Sequence, residues 1–213
     1  MATRIKLPTG LATLWRRIQS IIGLLIRIGV FLSIALVGGT ASSWYAVETG
    51  MPFNTERDGP WIRWTGAGRV DSDPYTRNRF GRRRQLLYNA NLSARYEAST
   101  DGKGRRLHSS CDYVVEGRRF EAPWWSLAVF DASGRLIPNA AQRYSFNSQT
   151  IAYSADGSFA VRMSREARPY NWLPTTRAGS LIVVFEVQSD SGGTDVLNRS
   201  AVRLPTIKRI SCR

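Results

Sequence analysis

The sequence predicts a mainly β domain, an antiparallel β-sandwich with one short early helix, carried behind a single N-terminal transmembrane helix. Three observations predict it. Ile28 to Val47 is a run of twenty residues without a charge. After Ser93, short segments alternate apolar and polar side chains with a period of two. Turn-forming groups separate them: Asp101-Gly102, Asp131-Ala132-Ser133-Gly134, Asp156-Gly157 and Ser191-Gly192-Gly193. Short strands at such intervals are the signature of a sandwich.

At about 1.5 Å per helical residue the uncharged run reaches about 30 Å, the thickness of a bilayer's hydrocarbon core. Arg4, Lys6, Arg16, Arg17 and Arg27 precede it, whereas Glu48, Glu56, Arg57 and Asp58 follow. Positive flanks stay in the cytoplasm, so the expected topology is a bacterial inner-membrane protein with a cytoplasmic N-terminus and a periplasmic domain. Trp44 and Tyr45 suit an interfacial anchor at the outer end. A cleavable signal peptide competes, with Ile28 to Val37 as its apolar region and cleavage after Gly39-Thr40-Ala41 leaving Ser42 first. The long basic flank, and the apolar character resuming through Trp44, Ala46 and Val47, favour a retained anchor. The expected organisation is a basic tail over 1–27, a span over 28–47, a connector over 48–58 and a β domain over 59–213.

Net charge is +14. A basic exported domain meets anionic lipid headgroups or envelope polymers and has little occasion to meet nucleic acid. The expected partners are therefore the bilayer itself, an anionic lipid or envelope polymer, and a protein of the same envelope. Cys111 and Cys212 are the only cysteines. An even count in an oxidising compartment invites a disulfide between them, the alternative being two separate thiols.

Asp73-Pro74 reads as a helix start, with Asp73 as N-cap and Pro74 in the first turn, running toward Gly81 or slightly past it. Arg77, Arg79, Arg82, Arg83 and Arg84 crowd this helix, and the acids near them in sequence are Asp71 and Asp73. Helical spacing spreads the five around the axis, which predicts a solvated positive surface with Arg82, Arg83 and Arg84 as its binding candidates. Among the strands, Trp124 to Phe130 puts Trp125, Leu127 and Val129 on one face. Ser158 to Met163 opposes Phe159, Val161 and Met163 to Ser158, Ala160 and Arg162. Ser180 to Val187 alternates likewise, and Tyr113 with Val115 adds a short strand. Trp124 and Trp125 must point to opposite faces, one into the core and the other onto a surface or groove. Asn171-Trp172-Leu173-Pro174 predicts a structured turn. Trp124, Asn171 and Trp172 join the arginines as surface candidates.

His108 is the sole histidine, which leaves zinc without a ligand set and a serine or cysteine nucleophile with a single candidate base. Walker, dinucleotide and Gly-x-Ser-x-Gly patterns are absent from the sequence. No catalytic residue, metal or cofactor is assigned. The acidic pairs Asp71 with Asp73, and Glu116 with Glu121, are expected to be structural. The leading functional expectation is a non-catalytic binding or interaction module. The alternative is a membrane-tethered hydrolase on an envelope glycan or lipid, using carboxylates that only the fold would assemble.

Five motifs occur in order: Gly59-Pro60-Trp61, Asp73-Pro74-Tyr75-Thr76-Arg77, Trp124-Trp125-Ser126-Leu127, Asp156-Gly157-Ser158 and Asn171-Trp172-Leu173-Pro174. Together they resemble the domain-of-unknown-function family numbered 1214, in a short bacterial form with one membrane span. The resemblance covers Gly59 to Ile207 and implies a mainly β domain of jelly-roll type, with no settled chemistry. Members carry a Leu-Pro-Leu segment and then an acidic residue before an aromatic. Here the region reads Arg82-Arg83-Arg84-Gln85-Leu86-Leu87, then Ser93-Ala94-Arg95-Tyr96, so the acidic position is expected to be lost.

Overall fold

One continuous helix, α1 (Thr9–Thr49), precedes ten strands and a second, short helix in the computed structural model, which describes residues 9–83, 85–120, 122–188 and 203–213. The 41 residues of α1 merge the expected tail and span. Within it Leu14–Thr49 is long and apolar enough to cross a membrane. Its large apolar side chains from Leu14 to Val37 are exposed all round.

A second compact unit begins at Gly50. The segment expected as a connector therefore belongs largely to the β domain. Thr55–Asp58 is β1, paired antiparallel with β2 (Trp61–Trp64) in register Asp58 to Trp61. The short charged run concealed this strand, because Glu56, Arg57 and Asp58 form an edge and not a buried face. Helix α2 (Pro74–Arg82) starts where expected: the Asp73 carboxylate accepts the amides of Tyr75 and Thr76, both at 3.0 Å. Then follow β3 (Ser93–Ala98), β4 (Cys111–Arg118), β5 (Trp124–Asp131), β6 (Ser145–Asn147) and β7 (Ser158–Ser164). The last strands are β8 (Trp172–Pro174), β9 (Leu181–Gln188) and β10 (Thr206–Cys212).

The strands form a six-stranded sheet of order β1-β2-β3-β9-β5-β6 and a four-stranded sheet of order β10-β4-β7-β8. All pairs are antiparallel except β7 with β8. Both sheets send alternate side chains into one shared core, which makes the domain a sandwich. Trp125, Phe185 and Val187 come from the larger sheet, and Tyr113, Phe159, Val161 and Ile207 from the smaller. Across the interface Trp125 stacks on Phe159 with centroids 5.1 Å apart. Phe159 has room because its cross-strand partner is Gly117, where a Cβ would come within 2.5 Å of the ring. The Trp61 indole donates to the Pro205 carbonyl at 2.7 Å, fastening β2 to the approach to β10.

Cys111 and Cys212 form a disulfide, as expected. They are cross-strand partners in the β4–β10 pair, so the bridge closes the edge strand onto its neighbour.

Candidate functional site

Two outer faces are available for function, and the sequence-selected residues divide between them. On the larger sheet the outward positions of β3 are Ser93, Arg95 and Glu97, whereas Ala98 is in the core. Trp64 of β2 also points outward and is nevertheless buried, because α2 lies over it: the Phe80 ring meets it edge-on at 6.2 Å. The Arg79 guanidinium lies 4.6 Å over the same indole.

This overturns the reading of the arginine run as uniformly solvated. Arg79 is buried and bonds the equally buried Glu97 at 3.2 Å. Arg95 donates to the other oxygen of Glu97 at 3.2 Å, and Arg83 approaches that carboxylate at 3.9 Å. Arg95 also lies 3.9 Å from Glu186, which accepts the Ser93 hydroxyl at 2.8 Å. The partner of Arg79 sits eighteen residues downstream on another element, which sequence proximity cannot reveal. The carboxylate that pairs with Arg79 is Glu97, immediately after Tyr96. A cavity of about 30 Å³ beside this cluster, lined by Trp64, Leu87, Ser93, Arg95 and Glu186, is the size of a water.

Of the remaining helix arginines, Arg77 and Arg82 are exposed, and Arg84 lies outside the described residues. Arg77 donates to the Val70 carbonyl at 3.2 Å. Asp71 binds Arg69 rather than the helix terminus. Val70, Leu86 and Tyr88 are strongly exposed, and Phe53, also exposed, packs edge-on against Tyr75 at 6.0 Å. The strap carrying Leu86 and Tyr88 is held by Gly68, whose positive φ of 76° and contact with the Tyr88 carbonyl exclude any Cβ.

The tryptophans at 124 and 125 diverge as the strand period requires. Trp125 is in the core and Trp124 is half-buried on the outer face, level with Gln188 of β9. Asn171 is buried and structural: its amide oxygen accepts the Ala152 amide at 2.8 Å and its nitrogen donates to the carbonyls of Ala152 and Ala160. That exchange removes it from the surface candidates. Trp172 is half-buried, donates to the Ser164 carbonyl at 3.2 Å and lies beside Arg162 in the sheet. Trp124 and Trp172 belong to different sheets, so no single cleft unites them with the arginine run.

The outer face of the smaller sheet holds a wider groove, of about 340 Å³, between β4, β7 and β10. Asp112, Val114 and Glu116 of β4 and Ala160, Arg162 and Ser164 of β7 line it, with Arg168, Ile210 and Ser211. Asp112 accepts Arg168 at 2.8 Å, and Glu116 accepts Lys208 at 2.6 Å. A bulge between Arg209 and Ser211 turns Ile210 outward. Glu121 lies outside the described residues, so its expected pairing with Glu116 is not addressed. His108 is exposed, and its Nδ1 lies 2.8 Å from the Ser110 hydroxyl. Among the described residues no group of three or more His, Cys, Asp or Glu is placed to hold a metal.

An apolar helix followed by a disulfide-closed sandwich with two contrasting outer faces defines the class. Residues 93–189, from β3 to just past β9, match the family described as "Protein of unknown function (DUF1214)". The match is narrower than the motif-based resemblance, because Gly59-Pro60-Trp61 and Asp73-Pro74 precede it. The structure is similar to the VPA0106 protein from Vibrio parahaemolyticus, at 19% identity and a TM-score of 0.53, over 66% of this chain and 36% of that one. It is also similar to an uncharacterised protein from Burkholderia cenocepacia, at 16% identity and a TM-score of 0.42, over 80% of this chain and 40% of that one. The chain thus spans well under half the length of either. The first likeness supports the β-rich fold. No curated protein matches the chain.

Proposed function

We propose that this is a single-pass protein of the bacterial inner membrane, with its N-terminus cytoplasmic and its β domain periplasmic. There the domain acts as a non-catalytic module that docks on anionic lipid headgroups. The observation that carries the docking reading is the segment from 70 to 88 around α2, where Arg77, which donates to the Val70 carbonyl, and Arg82 are exposed together with Val70, Leu86 and Tyr88. Basic side chains draw a surface to anionic lipid, and apolar and aromatic ones settle at the headgroup level. The basic N-terminal flank supports the orientation, and the disulfide supports an oxidising compartment.

The hydrolase alternative would draw on Asp112 and Glu116, the carboxylates that share the groove. Four residues apart on one strand they stand about 13 Å from each other. Glycosidases separate their carboxyls by about 5–9.5 Å. Each is also held by a cation, which favours binding over acid–base work.

A C-terminal alkaline phosphatase fusion is expected to be active and a C-terminal green fluorescent protein fusion dark; the reverse pattern would sink the orientation. The β domain from Gly50 onward contains its own core and disulfide. It is expected to float with vesicles containing phosphatidylglycerol and to release as ionic strength passes ~0.15 M, where the Debye length is about 8 Å. Replacing Arg77 and Arg82 by Gln is expected to abolish flotation. Equal flotation with neutral phosphatidylcholine vesicles would overturn the docking reading.

A further inference from the structure

The groove on the smaller sheet has a chemistry of its own. Its two carboxylates are already neutralised, Asp112 by Arg168 and Glu116 by Lys208. Arg162 is different. It stands between these pairs, in the sheet row that runs Lys208, Val114, Arg162, Trp172. Its side chain is exposed and makes no ion pair or hydrogen bond among the described residues. An uncommitted guanidinium flanked by two closed ion pairs gives the groove one unmatched positive charge and a fork of donors that suits a carboxylate or phosphate.

The rest of the lining fits a ring bearing hydroxyls. A hydroxyl both donates and accepts, and the paired ends offer both: carboxylate oxygens accept, and the guanidinium and ammonium groups donate. The floor is apolar, formed by Val114, which is only 8% exposed although it points outward. Exposed Ile210 supplies an apolar wall, and Ala160 leaves the space that a larger side chain would fill. A volume of about 340 Å³ is at the lower end for small-ligand sites, which run from about 300 to 1,000 Å³. The Cys111–Cys212 bridge adjoins Asp112 and Ser211 and fixes the register of the two strands that carry them.

We propose that this groove binds an anionic saccharide, with Arg162 clasping the acidic group and the Asp112–Arg168 and Glu116–Lys208 pairs bonding ring hydroxyls. The site is independent of the membrane-docking surface around α2, which lies on the other sheet.

The test is a glycan array of neutral, carboxylated and phosphorylated saccharides, probed with the full-length protein in detergent micelles. Carboxylated or phosphorylated saccharides are expected to be retained, and which of the two dominates identifies the acidic group. Charge-assisted hydrogen bonds predict that Arg162→Gln weakens binding by about tenfold or more, whereas Arg57→Gln, on the far edge of the larger sheet, leaves it unchanged. Ala160→Trp fills the groove without altering charge and is expected to abolish binding with the same melting temperature. Retention of neutral saccharides as strong as that of acidic ones would overturn the proposal. So would binding that survives Arg162→Gln or Ala160→Trp, or an array on which nothing is retained.

Discussion

The two sheets each turn one face to the shared core and one away, but the outer faces have opposite fates. On the larger sheet α2 and the strap after it cover the outward side chains, and Arg79, Arg95 and Glu97 end up in a largely buried cluster. On the smaller sheet the charged residues pair across the surface around an open groove. The same strand period produced both arrangements. What differs is the covering, and it changes what a charge is for. A buried charge must be matched to avoid a desolvation cost, so the Glu97 cluster serves the fold. An exposed pair contributes little to stability and leaves its donors available to a ligand.

That contrast can be broken most directly by removing one carboxylate from each face. Glu97→Gln removes the buried carboxylate that Arg79 and Arg95 share and is expected to cost about 3–5 kcal/mol in denaturant unfolding. Glu116→Gln, which releases Lys208 to solvent, is expected to cost at most about 1 kcal/mol. Comparable losses would mean that burial does not distinguish the two faces.

The next largest effect concerns the edge of the open sheet. The disulfide bridges residues 101 apart, so breaking it restores much conformational freedom to the unfolded chain. Cys212→Ser is expected to destabilise by about 2–5 kcal/mol. Hydrogen exchange should then rise first in β10 and β4, with β3 and β9 still protected. Uniform loss of protection would show that the two sheets unfold as one, and that the comparison describes surfaces only.

Much of this was legible in the sequence, wherever the determinant was local. The Asp73 cap, the period of two in β5, β7 and β9, and the even cysteine pair each announced themselves within a few residues. The open face was partly legible too, since Ala160 and Arg162 alternate against Phe159, Val161 and Met163. Short strands escaped because three or four residues carry too little periodicity, as with β1, β6 and β8. The pairing of Arg79 with Glu97 escaped for another reason. It depends on a helix folding back over a strand, and the only hint was polar Ser93, Arg95 and Glu97 alternating with Ala94, Tyr96 and Ala98. Asn171 was misread as a surface residue because an asparagine before a tryptophan looks the same whether its amide faces solvent or closes a loop.

The smallest expected effect tests the covering itself. Asp73 starts the helix that forms the lid, and its carboxyl feels opposing influences. Burial pushes its pKa up, but hydrogen bonds from the Thr76 hydroxyl and amide and the Tyr75 amide outweigh that and hold it below the ordinary carboxylate value. A carboxyl depressed in the folded state binds its proton more readily when unfolded. Its stabilisation is therefore complete above the unfolded pKa of about 3.9 and is lost as pH falls through the lower folded value. Asp73→Ala is expected to cost about 0.5–2 kcal/mol at neutral pH, the usual range for an N-cap. The gap between variant and wild type should narrow only below about pH 4, as the wild-type carboxyl takes up its proton. If α2 acts as a lid, the variant should also speed hydrogen exchange at Thr76, Arg79 and Phe80 while β4 and β7 exchange as before. Unchanged exchange in α2 would show that its packing on Trp64, not its cap, keeps the larger sheet covered.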